Sequence, residues 1–165
     1  MIIEYFRVRG SAVPPHRANP SDAGLDLFFD REPKGSLPFV DDARYSVSLE
    51  PGESKLISTG YRFAVLHGYI LEIKNRSSVA YNRSLVVGAC VADSGYDGEV
   101  FVNLHNIGKE TQVIKPGEKI AQAIIIPVVH FRAVENGSGD LYNWYPITIS
   151  DRGDGALGST DKKGK

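Results

Sequence analysis

Apolar residues occupy every second position of the stretch Val100-Phe101-Val102-Asn103-Leu104-His105, beginning at Val100. This is the two-residue period of a strand that buries one face. The chain of 165 residues also contains 17 glycines and 9 prolines, which divide it into short segments rich in Val, Ile, Tyr and Phe. Such segments suit strands better than helices. The sequence therefore predicts an all-β protein, and its length fits one domain.

The strands predicted outward from this stretch are short, and turn residues separate them. Glycine or proline interrupts the apolar pattern at Pro51-Gly52, Gly68, Gly108 and Pro116-Gly117. Many short strands at this spacing are typical of a sandwich or jelly roll. Only Ser77-Asn82 has the pattern of a short helix. The predicted strands are Ile2-Val8, Leu25-Phe29, Arg44-Leu49, Ser54-Ser58, Tyr61-Leu66, Tyr69-Lys74, Leu85-Ala89, Glu99-Asn106, Gln112-Ile114, Lys119-Ile126 and His130-Val134.

Composition and charge exclude several classes of partner. Nineteen basic and 20 acidic residues give a formal charge of -1, so the sequence shows no broad cationic surface for nucleic acid or an anionic membrane. The longest apolar run, Ala121-Val129, is too short to span a bilayer, and no signal peptide is recognisable. Cys90 is the one cysteine, and no histidine has a partner at zinc-ligand spacing. We expect a soluble, cytoplasmic protein without direct nucleic-acid or membrane binding.

The end of the chain differs in composition from the rest. After Asp151 only Ala156 and Leu157 are apolar, so this segment cannot bury enough surface to offset its ordering entropy. We predict a β domain over residues 1–150 and a flexible, glycine-rich arm over residues 151–165. The glycines and Arg152 suit close contact with phosphate. We do not expect a P-loop, because Ser159 stands where that motif has lysine.

Four internal segments place polar residues at the end or in the middle of an apolar run. The segment Asn75-Arg76-Ser77-Ser78 follows a predicted strand and suits an anion site at a helix start. Asp93 precedes a glycine turn, Asp26 lies between two leucines, and Gln122 lies within a predicted strand. Each also has a purely structural explanation as a cap, a turn residue or an exposed side chain on a strand. Taken singly, these residues leave both explanations open.

The order and separation of these segments resemble the five motifs of the trimeric dUTPases. Val87-Asp93 is in addition similar to the uracil-binding β-hairpin of that family. The resemblance extends from Val13-Ala18 to the end of the arm, and so it covers nearly the whole chain. The five matching segments are Pro20-Leu27, Asn75-Ser78, Ala92-Glu99, Gly117-Gln122 and Arg152-Thr160.

The resemblance implies a jelly-roll-like distorted barrel, the β-clip of dUTPases, and a homotrimer with active sites at subunit interfaces. It implies dUTP as the substrate, hydrolysed to dUMP and pyrophosphate by water attack on the α-phosphate, with Mg²⁺ as the cofactor. Such an activity limits uracil incorporation into DNA and supplies dUMP for thymidylate synthesis.

The resemblance also assigns roles to residues of this sequence. Asp93 would activate the attacking water, Asp26 would act on the metal through water, and Tyr96 would exclude a ribose 2′-hydroxyl. The residues implied to bind uracil and deoxyribose are Cys90, Val91, Ala92, Tyr96, Phe101 and Leu157. Those implied to bind the phosphates are Arg76, Ser77, Ser78, Gln122, Arg152, Gly158, Ser159 and Thr160.

Four residues, at three places in the chain, differ from the family pattern. Ala156-Leu157 stands in place of the glycine and phenylalanine of the fifth motif, so an aromatic stack over uracil is lost. Ser78 stands where the second motif commonly has glycine, and Cys90 where related hairpins often have glycine. A backbone N–H remains at both, so these two changes bear on affinity more than on the reaction.

Other functions share parts of this pattern. dCTP deaminases have the same fold and often carry Arg-Ser-Ser, but they need a glutamate where this chain has Asn103, which cannot act as a base. A regulatory protein of the same fold would use nucleotide binding to expose or hide a partner surface, and Gly35-Asp42 and Asn136-Trp144 are its candidate loops. A capsid-like jelly roll would explain the fold but not the ordered polar motifs. The sequence thus favours dUTP hydrolysis.

Overall fold

A computed structural model describes residues 1–31 and 45–139, and every element given below lies within them. Its contacts divide the chain into one unit over Met1–His130 and a second over Phe131–Lys165. The predicted boundary at residue 150 and the predicted arm over 151–165 lie outside the described residues and stay predictions.

The described residues form short strands and one short helix. No helix among them is long and apolar enough to cross a membrane. In chain order the elements are β1 Tyr5–Arg7, β2 Leu25–Phe28, β3 Val47–Leu49, β4 Ser54–Ser58, β5 Tyr61–Phe63, β6 Tyr69–Lys74, α1 Ser77–Arg83, β7 Leu85–Val87, β8 Val91–Ala92, β9 Phe101–Asn106, β10 Gln112–Ile114 and β11 Lys119–Pro127.

The strands pair in an antiparallel manner and form small sheets that share one core. β1 pairs with β5 and β3 with β10, while the larger sheets have the orders β2-β11-β6-β8 and β4-β9-β7. Both larger sheets contribute buried side chains to the same cluster, for example Leu27 and Leu71 from one and Ile57 and Leu104 from the other. The result is a distorted, jelly-roll-like barrel, as the strand spacing predicts.

The alternating stretch at residues 100–105 behaves as its period predicts. Val100, Val102 and Leu104 are buried, whereas Phe101 is exposed and His105 is half-buried. The predicted short helix is confirmed as α1. It ends at Ser84, whose φ of 52° gives the left-handed conformation of a helix C-cap.

One predicted strand is absent, and one observed strand was not predicted. The segment His130-Val134 forms no strand, and Val129, Phe131 and Val134 stay exposed. A segment with alternating apolar residues forms a strand only where the edge of another strand is available to pair with it. None of the described strands pairs with His130-Val134. β8 was not predicted, because two residues are too few to show a period. It forms because Val91 and Ala92 pair with Glu72 and Leu71 of β6.

Candidate active site

A pocket of about 300 Å³ lies between the two larger sheets, where the chain passes from β7 to β8. We call it the β7–β8 pocket. It brings together every described residue implied to bind uracil and deoxyribose, and Asp93 as well. Its lining residues are Leu56, Ile73, Ala89, Cys90, Val91, Ala92, Asp93, Tyr96, Glu99, Val100 and Phe101.

The pocket exists because β7 and β8, at the two ends of the hairpin-like segment Val87-Asp93, do not pair with each other. β7 pairs with β9, whereas β8 pairs with β6 in the other sheet. The connection is fixed at both ends, since the Gly88 N–H donates to the carbonyl of Asn103 (2.9 Å) and the Ile73 N–H donates to the carbonyl of Cys90 (2.6 Å). The segment that resembles the family's β-hairpin is therefore divided between two sheets, and this division leaves room for a flat ligand.

The side chain of Asn103 binds the backbone at the start of the segment between β7 and β8. Its side-chain oxygen accepts a hydrogen bond from the Ala89 N–H (3.1 Å) and lies 2.8 Å from Nε2 of His105. The deaminase alternative needs a carboxylate base at this position. Asn103 instead accepts a hydrogen bond that fixes the backbone of Ala89.

The loop from Asp93 to Glu99 borders the same pocket. The Tyr96 N–H donates to the Asp93 carbonyl (3.2 Å), and Gly95 completes the turn with a φ of 88°, which favours glycine. The Tyr96 ring lies so close to Gly98 that a Cβ there would collide with it. Asp93 is exposed.

Glu99 ends this loop and joins a cluster of charged residues. Its carboxylate accepts hydrogen bonds from the guanidinium of Arg9, the hydroxyl of Ser58 and the N–H of Gly60 (2.8 Å for Gly60). Arg9 also pairs with buried Asp30, 2.6 Å away. Burial by itself raises the pKa of Glu99, but these donors outweigh it and hold the pKa below its usual value. Hydrogen bonding to Glu99 raises the pKa of Arg9.

A second pocket, of about 260 Å³, has a polar lining, and we call it the polar pocket. It brings together Arg76, Ser77, Gln122 and Asp26 of the predicted site. Asp26 is 9% exposed and contacts both Arg76 and Lys119, with 2.8 Å to the Lys119 Nζ. Nε of Arg76 is buried and has no hydrogen-bond partner among the described residues, and Gln122 donates to the carbonyl of Asn75 (2.9 Å).

Sequence reasoning missed Lys119, and the cause is a bulge in β11. Gln122 pairs with Asp26, and Lys119 pairs with Phe28, although strict alternation would put residues 119 and 122 on opposite faces. The register shifts between Lys119 and Ala121, which inserts one extra residue. Because Asp26 and Phe28 share a face, Lys119 and Gln122 do so as well. No short sequence pattern signals this bulge.

The remaining predicted residues divide into two groups. Ser78 is exposed and does not line the polar pocket. Arg152, Leu157, Gly158, Ser159 and Thr160 lie outside the described residues. The two pockets themselves share no lining residue, so the predicted nucleoside and phosphate residues of one chain form two separate sites.

Comparison with known proteins decides which family has this arrangement. The model of the dUTPase family matches residues 41–160. This chain belongs to the dUTPase family. The deoxyuridine 5'-triphosphate nucleotidohydrolase of Laribacter hongkongensis is 35% identical over 157 residues, which cover 90% of this chain and 89% of that protein. The protein of the same name from Fowlpox virus is 30% identical over 161 residues, 98% of each chain.

Solved structures of dUTPases have the same fold. The dUTPase of S. aureus phage phi11 has a TM-score of 0.70 at 22% identity over 83% of this chain and 97% of that chain. A mutant dUTPase of phage 80alpha has a TM-score of 0.74 at 22% identity over 96% and 98%. The fold of this dUTPase family member is thus the jelly-roll-like β-clip, and the protein is a nucleotide hydrolase.

Proposed function

We propose that this protein hydrolyses dUTP to dUMP and pyrophosphate with the help of magnesium, water attacking the α-phosphate. The observation that carries the proposal is the β7–β8 pocket. It gathers Cys90, Val91 and Phe101, next to an exposed carboxylate, Asp93, and the ring of Tyr96. β7 pairs with Leu104–Asn106 of β9 and does not extend as far as Phe101. The backbone of Phe101 is therefore not paired with β7. A pyrimidine that enters the split between the sheets can therefore be read by backbone groups.

Asp93 is the proposed general base. It lies on the rim of the pocket that takes the nucleoside, so its carboxylate can accept a proton from a water placed at the α-phosphate. Tyr96 packs against the deoxyribose and leaves no space for a 2′-hydroxyl. Positioning and neutralisation of the phosphates supply most of the remaining rate.

The polar pocket is the proposed phosphate site. Arg76 and Lys119 offer two cations, Ser77 and Gln122 offer neutral donors, and Nε of Arg76 has no acceptor within residues 1–31 and 45–139. Charge-assisted hydrogen bonds are about twice as strong as neutral ones. Arg152, Gly158, Ser159 and Thr160 of the arm complete the set in this proposal, and Leu157 covers the base.

The residues of the polar pocket fit a magnesium ion that the substrate carries. Among the described residues no group of three or more His, Cys, Asp or Glu could hold a metal ion by itself. Magnesium commonly keeps several waters and binds through the substrate phosphates. The carboxylates of Asp26 and Asp22 line the pocket, and Asp26 would hold a metal-bound water. When bound, the ion supplies charge stabilisation at the phosphates.

Because the two pockets of one chain share no residue, we further propose a homotrimer with composite sites. A dUTP molecule is continuous from base to γ-phosphate, so the groups that bind its two halves must be adjacent. The β7–β8 pocket of one subunit would face the polar pocket of the next. Closed cyclic symmetry repeats such an interface three times.

The test is a substrate panel with dUTP, dCTP, dTTP and UTP, each with magnesium and with a chelator. Pyrophosphate, inorganic phosphate and ammonia are followed together. The proposal requires magnesium-dependent pyrophosphate from dUTP and little from UTP or dTTP. Ammonia from dCTP would instead support the deaminase alternative, and binding without turnover would support the regulatory one.

A further inference from the structure

A hydrogen bond holds the ring of Tyr96, which is proposed to select deoxyribose. The hydroxyl of Tyr96 donates to the backbone carbonyl of Glu99 (2.9 Å). The ring itself is 47% exposed, so packing alone holds it weakly. Two glycines, Gly95 and Gly98, lie in the same short loop, and glycine adds backbone freedom. The position of the ring therefore depends on what fixes Glu99.

Glu99 is fixed by its side chain to three other residues of the fold. Its carboxylate binds Arg9 from the N-terminal segment, Ser58 at the end of β4 and the N–H of Gly60. Asp30, two residues after the end of β2, binds Arg9 from the other side (2.6 Å), and the Ser11 hydroxyl donates to Asp30 (2.8 Å). The Glu99 side chain is 11% and the Asp30 side chain 3% exposed.

The residue after Glu99 is held equally firmly. The Val100 N–H donates to the carbonyl of Tyr61 (2.9 Å), and the Val100 carbonyl accepts from the hydroxyl of Thr59 (2.6 Å). The loop thus has one rigid end at Glu99 and Val100, and the Tyr96 hydroxyl is bonded to that end. Ion pairs with little exposure and several hydrogen bonds resist displacement more than surface pairs do.

We propose that Glu99 is a positioning residue for sugar selectivity: its ion pair with Arg9 fixes the carbonyl that holds Tyr96, and so keeps the ring where a ribose 2′-hydroxyl would collide. The proposal rests on the proposed function, in which Tyr96 excludes ribose. Glu99 touches no reacting atom in this proposal. Its effect passes through its own backbone and the Tyr96 hydroxyl.

The measurement is the ratio of kcat/KM for dUTP to kcat/KM for UTP. We expect Glu99→Ala to lower this ratio about tenfold, the size of effect of one lost hydrogen bond. Tyr96→Phe keeps the ring and removes only the bond to Glu99, so it should lower the ratio to a similar extent. If both substitutions weaken the same hydrogen bond between Tyr96 and Glu99, the ratio in the double variant should fall no further than in either single variant. Glu99→Gln keeps an acceptor for Ser58 and Gly60, and should retain an intermediate ratio.

The control is Ile114→Val, which shortens a fully buried side chain that lines neither pocket. It should lower the unfolding temperature and leave the ratio unchanged, which separates positioning from loss of stability. A folded Glu99→Ala with the wild-type ratio, or fully additive losses in the double variant, would overturn the proposal. If Glu99→Ala does not fold, Arg9→Lys takes its place, because lysine keeps the charge without the two-pronged contact.

Failure of the proposed function gives a different result. In that case the unmodified protein releases no pyrophosphate from dUTP. Calorimetric binding of dUTP and of UTP to the same variants, in chelator, then replaces turnover. If the preference for binding dUTP over UTP falls in Glu99→Ala, the result supports Glu99 as the residue that positions Tyr96. An unchanged preference overturns that proposal.

Discussion

At the scale of single residues, the most direct consequence concerns Asp93, the exposed carboxylate of the β7–β8 pocket. Replacing it with asparagine keeps the shape and removes the proton acceptor. We expect Asp93→Asn to bind dUTP almost as the wild type does and to lose about 10²–10⁴-fold in kcat, the usual contribution of a general base. Binding by calorimetry and turnover by pyrophosphate release measure the two separately.

The matched control for this substitution is Asp97→Asn in the same loop. The Asp97 side chain is 85% exposed and forms a surface ion pair with Arg62, 3.3 Å away, so its loss should leave kcat nearly unchanged. Equal losses in both variants, or normal turnover in Asp93→Asn, would remove Asp93 from the mechanism.

A second residue-scale prediction concerns Leu157, which stands where the family usually has phenylalanine. Stacking of a base on an aromatic ring contributes about 1–3 kcal/mol in single-strand binding proteins. Leu157→Phe should therefore lower KM for dUTP by about tenfold and change kcat little. Leu157→Ala, as the comparison variant, should raise KM. Steady-state kinetics decide the matter, and a KM in Leu157→Phe that is unchanged or higher would contradict this account of the fifth motif.

At the scale of elements, the bulge in β11 determines the charge of the polar pocket. It turns Lys119 toward Asp26, so that two cations, Arg76 and Lys119, balance the carboxylates of Asp22 and Asp26. Lys119→Gln leaves the pocket with one excess negative charge, which repels phosphate. We expect KM for dUTP to rise about tenfold or more, in line with about 1.5–3 kcal/mol for a hydrogen bond to a charged group.

Lys115→Gln is the control for this prediction. Lys115 is an exposed lysine in the turn before β11 and has the same formal charge. Its loss should leave KM within about twofold, since isolated surface charges contribute little. A rise in KM that is the same for both variants would mean that net charge, rather than the bulge, attracts the substrate.

The observed elements also show which features of the fold the sequence predicts and which it does not. Period and turn residues predicted β4, β6 and β10 with their exact ends. The family resemblance grouped Arg76, Ser77, Gln122 and Asp26, which line one pocket, but it also included Ser78, which does not, and it omitted Lys119. What they could not predict depends on partners far away in the chain. The bulge at Ile120, the splitting of Val87-Asp93 between two sheets and the Arg9–Glu99–Asp30 cluster each require knowing which strands are neighbours. Asp30 follows two phenylalanines, and a carboxylate in such a place was the one available hint of a buried ion pair.

At the scale of the whole molecule, the arrangement of the two pockets can be tested without a structure of the assembly. Asp93→Asn damages only the β7–β8 pocket, and Arg76→Ala damages only the polar pocket. If each active site joins pockets from two different subunits, mixed trimers contain some sites in which both pockets are intact. Random assembly of equal amounts makes about one quarter of the sites intact. Co-refolded mixtures should therefore recover about one quarter of the wild-type dUTP hydrolysis.

The alternative arrangement gives the opposite result. If both pockets of a site came from the same chain, every site in the mixture would carry one of the two defects, and no activity would return. Each variant refolded alone is the baseline, and an equal mixture combined without refolding shows whether subunits must exchange before activity appears. Activity in the co-refolded sample no greater than the sum of the two baselines would contradict the composite site. Recovery that requires exchange would place the boundary between subunits between Asp93 and Arg76.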